Sequence, residues 1–90
     1  MFNSLNPYGK QKKSIIDLIN SIILNNDAKA TIDEYIEVNE YGLAFDQITY
    51  ELSENELQIS KEVYMKIKDL ADLMELPKDS YDFLAKLILD

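Results

Sequence analysis

The sequence predicts an all-α protein, a compact bundle of about five short helices that forms one domain over residues 1–90. Three observations carry that reading. Apolar residues recur at spacings of three and four, the period of a helix that buries one face. Helix breakers are scarce, with only two prolines and two glycines. Between the apolar runs stand asparagine, aspartate and serine, which favour caps and turns because their side chains bond nearby backbone groups. At 47% hydrophobic residues, the chain has the apolar content of a folded globule rather than of a disordered acidic tail.

Ile15, Leu18, Ile19, Ile22 and Ile23 form the first stripe and predict a helix over about 9–24. Asn25, Asn26 and Asp27 interrupt it, and Asp27 is the expected N-cap of a second helix with Ile32, Tyr35 and Ile36 inside. The pattern breaks over 39–42 and resumes in a new phase. Leu43, Phe45, Ile48 and Leu52 then define a third helix ending near Glu54. Leu57 and Ile59 alternate briefly as a strand would. Ser60 is a good N-cap for a fourth helix, with Glu62 in the first turn, where the helix dipole favours an anion. Its inner face is Val63, Ile67, Leu70, Ala71 and Met74. Pro77 cannot continue that helix. Asp79 or Ser80 is expected to cap a last short one, with Phe83, Leu84, Leu87 and Ile88 inside.

Composition excludes several function classes. Without cysteine there is no disulfide and no thiolate; without histidine the commonest general base and metal ligand is missing. Every cation is lysine, so bidentate arginine recognition of phosphate is unavailable, and the net charge of -8 argues against a nucleic-acid partner. Lys10, Lys12 and Lys13 precede an apolar stretch, but Asp17, Asn20 and Ser21 interrupt it and no small-residue cleavage site follows. The stretch is also too short and too polar to span a bilayer. The expected location is therefore cytoplasmic, with no membrane partner. No cofactor is expected.

Charge is unevenly distributed. No lysine occurs between Thr31 and Ser60, a window that holds Asp33, Glu34, Glu37, Glu40, Asp46, Glu51, Glu54 and Glu56. On one continuous helix Asp33, Glu37 and Glu40 share a face, and like charges at that spacing destabilise it by a few tenths of a kcal/mol per pair. One reading is a solvated face of an acidic protein. The other is a surface complementary to a strongly basic partner, which raises association rate and specificity. Tyr41 and Tyr50 fall near this window and are candidate interface anchors, since tyrosine joins an apolar body to a polar tip. Glu51, Glu54 and Glu56 are the nearest thing to an acid/base or metal cluster, but a helical bundle of this length leaves little room for a cleft. The sequence has no calcium-loop pattern.

The run from Asp33 through Glu37, Glu40-Tyr41-Gly42 and Phe45-Asp46 resembles the central signature of the MafI and contact-dependent growth inhibition immunity proteins. In that signature an acidic helix leads through Gly-Glu and Ala-Leu-Glu into a Leu-x-x-x-Leu helix. Asn39 stands here where glycine is usual, and Phe45-Asp46 stands for Leu-Glu. Ile59-Ser60, Tyr64, Ile67, Leu70, Met74 and Leu76 match the pattern that follows, so the resemblance covers about residues 32–87. It implies an all-helical cognate immunity protein that neutralises the C-terminal toxin domain of a secreted bacterial effector, often an RNase, as a 1:1 heterodimer and without catalysis of its own. The partner-binding residues expected are Asp33, Glu34, Glu37, Glu40, Tyr41, Asp46, Tyr50, Glu51 and Glu54. Two other classes stay open: an acidic nucleic-acid mimic that blocks a different nucleic-acid-binding protein, and a structural interaction module whose acidity serves solubility.

Overall fold

The computed structural model describes residues 7–89, so the ends of the expected 1–90 domain lie outside the described residues. Four α-helices follow one another: α1 (Pro7–Ile19), α2 (Asn26–Glu37), α3 (Tyr41–Glu54) and α4 (Lys61–Leu73). Two 3₁₀ turns, Lys78–Ser80 and Asp82–Leu87, complete the chain. The all-α bundle is as the sequence predicts. Helix α3 lies at its centre: α2 packs along it, α1 contacts both α3 and α4, and the second 3₁₀ turn closes on α3 from the other end of the chain.

Phe45, Ile15, Leu18, Ile32, Ile48, Leu52, Ile67, Leu70 and Leu84 are the largest fully buried side chains, so all four helices and the second 3₁₀ turn contribute to one core. Fully burying one such side chain contributes about 1.5–3 kcal/mol. The radius of gyration of 12.7 Å is close to the roughly 12 Å of a compact chain of this length. Among the described residues no buried side-chain polar atom lacks a partner.

Several boundaries differ from the sequence expectation, each for a local reason. Helix α1 stops at Ile19 rather than running to Leu24. The Ser21 N–H bonds the Leu18 carbonyl in a tighter turn, and its hydroxyl donates to the Asp17 carbonyl at 2.9 Å, a side-chain bond that competes with the helix ladder. Lys66 of α4 secures this end, donating to Ser21 Oγ at 2.8 Å and lying 3.1 Å from Asp17. The cap of α2 is Asn25, whose Oδ1 accepts from the Ala28 N–H at 2.8 Å, while Asp27 sits in the first turn. Ser60 caps α4 as expected, accepting from the Val63 N–H at 3.0 Å. The strand signal at Ile59 becomes an isolated parallel bridge to Ile88.

The last helix is not α-helical. Tyr81, Leu84 and Leu87 are buried at a spacing of three, and residues three apart eclipse one another in a 3₁₀ turn. An α-helix would bring Phe83 inward as well, yet Phe83 is exposed. Tyr81 meets Tyr64 of α4 edge to face, with centroids 5.9 Å apart. Burial pushes the Tyr64 hydroxyl pKa above its usual value, with Tyr81 and Asp82 adding to the shift.

Helices α2, α3 and α4 all end the same way. Asn39, Glu56 and Glu75 have φ of 63°, 47° and 58°, in the left-handed region. In each case two backbone bonds close over the turn: Glu40 N–H to Tyr35 O and Asn39 N–H to Ile36 O, then Leu57 to Leu52 with Glu56 to Ser53, then Leu76 to Ala71 with Glu75 to Asp72. This is the Schellman arrangement, which satisfies carbonyls the helix leaves open. Leu57 and Leu76 follow the left-handed residue and pack on the core. Asparagine tolerates this conformation; for glutamate it costs about 1–2 kcal/mol, part of which glycine would give back through its freer unfolded chain. Glu56→Gly and Glu75→Gly should therefore each stabilise by up to about 1 kcal/mol, a rise in Tm of a few degrees for a domain this size. Glu→Ala at the same positions should give no such gain. Thermal melts of the four variants check this, and equal gains from alanine would assign the effect to charge instead of backbone.

Candidate protein-binding surface

The lysine-free window forms the α2–α3 hairpin and the segment after it. Asp33, Glu34, Glu37, Glu40, Asp46, Glu54 and Glu56 are exposed, and Glu51 is half-buried. The ion pairs among the described residues are Lys66–Asp17 and Lys68–Asp72, so no carboxylate of the window is neutralised by a lysine of the chain. Glu51 instead accepts hydrogen bonds from Gln47 Nε2 at 3.0 Å and Asn55 Nδ2 at 3.2 Å.

The helical phases decide which residues act together. On α2, Ala28, Ile32 and Ile36 turn inward, which leaves Asp33 and Glu37, one turn apart, on the opposite side. Glu40 does not continue that row. Helix α2 ends at Glu37, Asn39 reverses the chain, and Glu40 becomes the residue just before α3, where the positive end of the dipole accommodates its charge. Its side chain makes no capping hydrogen bond.

Tyr41 is not a surface anchor. It is only 5% exposed, because α3 begins at Tyr41 and its buried stripe is Tyr41, Ala44, Phe45, Ile48 and Leu52. The Tyr41 hydroxyl donates to Asn39 Oδ1 at 2.9 Å and ties the reversal to the helix. Leu43, expected inside, is exposed instead. The outer stripe of α3 is consequently Leu43, Asp46, Tyr50 and Glu54, two apolar side chains interleaved with two carboxylates. Leu43 is out of phase with Phe45, Ile48 and Leu52, two residues being about 200° of helix, and Tyr41 takes the inner place expected for it.

An open depression of about 450 Å³ lies where α1 begins beside the α2–α3 reversal, and Gln11, Glu40, Leu43 and Asp46 contribute to its lining. Glu51, Glu54 and Glu56 fall at the end of α3 without converging; among the described residues no group of three acidic side chains is arranged to hold a metal ion. No helix there is long and apolar enough to cross a membrane.

The site is thus an acidic helical hairpin with an exposed leucine and tyrosine on its central helix. Neither a protein-family model, nor a curated protein, nor a solved structure matches the chain.

The placement of the two tyrosines separates them experimentally. Tyr41→Ala should cost about 3–5 kcal/mol, the range for deleting a buried aromatic ring, whereas Tyr50→Ala should stay within about 0.5 kcal/mol. Urea unfolding of the two variants measures both, and a large loss from Tyr50→Ala would place that ring in the core.

Proposed function

We propose that the chain is a cognate inhibitor of the immunity type: it binds the basic C-terminal toxin domain of a contact-dependent growth inhibition or related effector, an RNase, as a 1:1 complex in the cytoplasm. The observation that carries this reading is the exposed, lysine-free carboxylate surface of α2 and α3. An enzyme that cleaves RNA needs a cationic groove for phosphates. An acidic hairpin can occupy such a groove and exclude the substrate, and inhibition then requires binding only. Tyr50 and Leu43 supply the apolar contacts that carry affinity, while the carboxylates around them speed encounter and fix orientation. The resemblance to the immunity signature supports the same reading. Asn39, where that signature has glycine, takes a left-handed conformation that glycine adopts freely.

Asp33→Lys with Glu37→Lys tests the proposal, because both residues are exposed on one side of α2. Calorimetry against a basic nuclease domain encoded beside this chain should show nanomolar binding by the wild type and a loss of about 2–5 kcal/mol in the double variant. RNase inhibition should be lost in parallel, and the thermal melt should be unchanged. Wild-type affinity in the double variant would reduce the α2 face to a solvated surface. A wild type that ignored the co-encoded domain but bound another nucleic-acid-binding protein would favour the nucleic-acid mimic.

A further inference from the structure

Ile23 is 91% exposed, although Ile22 and Leu24 on either side of it are half-buried and packed on the core. It lies in the short connection between α1 and α2, at the boundary of two adjoining depressions of about 410 and 280 Å³. Leu57 lines both. Leu24 lines the larger and Val63 the smaller, and together they make a continuous apolar groove. An isoleucine this exposed adds nothing to folding, since apolar burial is what stabilises. A single exposed apolar residue is ordinary, but this one borders a groove that a partner's side chain could enter.

The charge that lines the groove is of one sign. Glu51 is the only charged residue among its lining, with Asn25, Asn55 and Gln58 as neutral neighbours. Glu56 immediately precedes Leu57, is exposed, and keeps its carboxylate in a backbone conformation that glycine would hold more cheaply. A second copy of this chain is a poor occupant, because it would bring another net charge of -8 toward an acidic rim.

We propose that this groove is a docking site for an aliphatic or aromatic side chain of a partner protein, flanked on the partner by lysine or arginine that meets Glu51 and Glu56. It rests on the reading that the partner is a basic protein, and it adds a second contact at the opposite end of α3 from Glu40 and Leu43.

The probe is a short amphipathic peptide of Lys-Leu-Leu-Lys repeats, titrated into the isotope-labelled chain and followed by heteronuclear NMR. Lys-Ser-Ser-Lys and Glu-Leu-Leu-Glu peptides serve as controls. The lysine-leucine peptide should shift the amides of Ile23, Leu24 and Leu57, and neither control should. Ile23→Asp should weaken that binding at least tenfold with an unchanged melt, and Glu51→Gln with Glu56→Gln should weaken it several-fold. Shifts confined to Asp33, Glu37 and Asp46 would overturn the groove while leaving a basic partner standing. Equal binding of the glutamate-leucine peptide, no shift at Ile23 with any peptide, or a dimer of the chain alone that Ile23→Asp dissociates would each overturn it too. Failure to bind a co-encoded nuclease would remove the immunity reading and leave the peptide result intact.

Discussion

Burial of the inner face of α3 is the constraint from which the rest of the structure follows. A chain of this length can form only one core, and its surface is large relative to its volume. Helix α3 answers this by turning Tyr41, Ala44, Phe45, Ile48, Thr49 and Leu52 inward. Thr49 is polar, and its hydroxyl is satisfied by donating to the Asp46 carbonyl one turn back, at 3.1 Å. With α2, α1 and the second 3₁₀ turn all resting on this helix, its register decides which side chains are left outside. Leu43, Asp46, Tyr50 and Glu54 are exposed because the opposite positions are fully committed to the core. The candidate interface is in that sense the complement of the core, read on the same helix.

Much of this was legible in the sequence where a stripe was long and its cap distinctive. Helix α4 is the clearest case: Ser60, Glu62 and the run Val63, Ile67, Leu70 and Ala71 agree on start, phase and face, and the structure places them accordingly. The other boundaries turned on choices that local propensity does not rank. Asn25, Asn26 and Asp27 are all competent caps, and the one used is Asn25, which accepts from the N–H of the buried Ala28. The apolar run Ile22-Ile23-Leu24 continues the helical period, so nothing in the pattern announces that Ser21 ends the helix through its own hydroxyl. At the C-terminal end, Phe83 and Ile88 fit an α-helical stripe as well as Tyr81, Leu84 and Leu87 fit a 3₁₀ row; the packing of Tyr81 on Tyr64 decides between them.

The surface was legible in charge but less so in shape. That the carboxylates of residues 31–60 would lie outside follows from the cost of burying unpaired charge. That Glu40 would leave the row of Asp33 and Glu37 depends on the left-handed Asn39, a conformation with no unambiguous sequence mark when the residue is not glycine. The exchange of Tyr41 for Leu43 has a different origin: with Phe45, Ile48 and Leu52 inside, the helical period brings Tyr41 round to their side and turns Leu43 away from it. Glu56 and Glu75, at the same kind of turn, carry side chains that the backbone conformation disfavours, and the pattern of hydrophobic residues gives no hint of either.

The attachment of α2 has a consequence for motion. Its buried side is Ala28, Ile32 and Ile36, a narrow strip that rests chiefly on α3, whereas α1 is held by both α3 and α4. Free energies of local opening track how much apolar surface an element surrenders when it lifts away. Helix α2 rests chiefly on one neighbour where α3 rests on three, so amide hydrogens along it would exchange with solvent sooner than those of α3. The arm that carries Asp33, Glu34 and Glu37 thus leans on a single helix and can adjust its angle against another surface while the rest of the bundle keeps its shape.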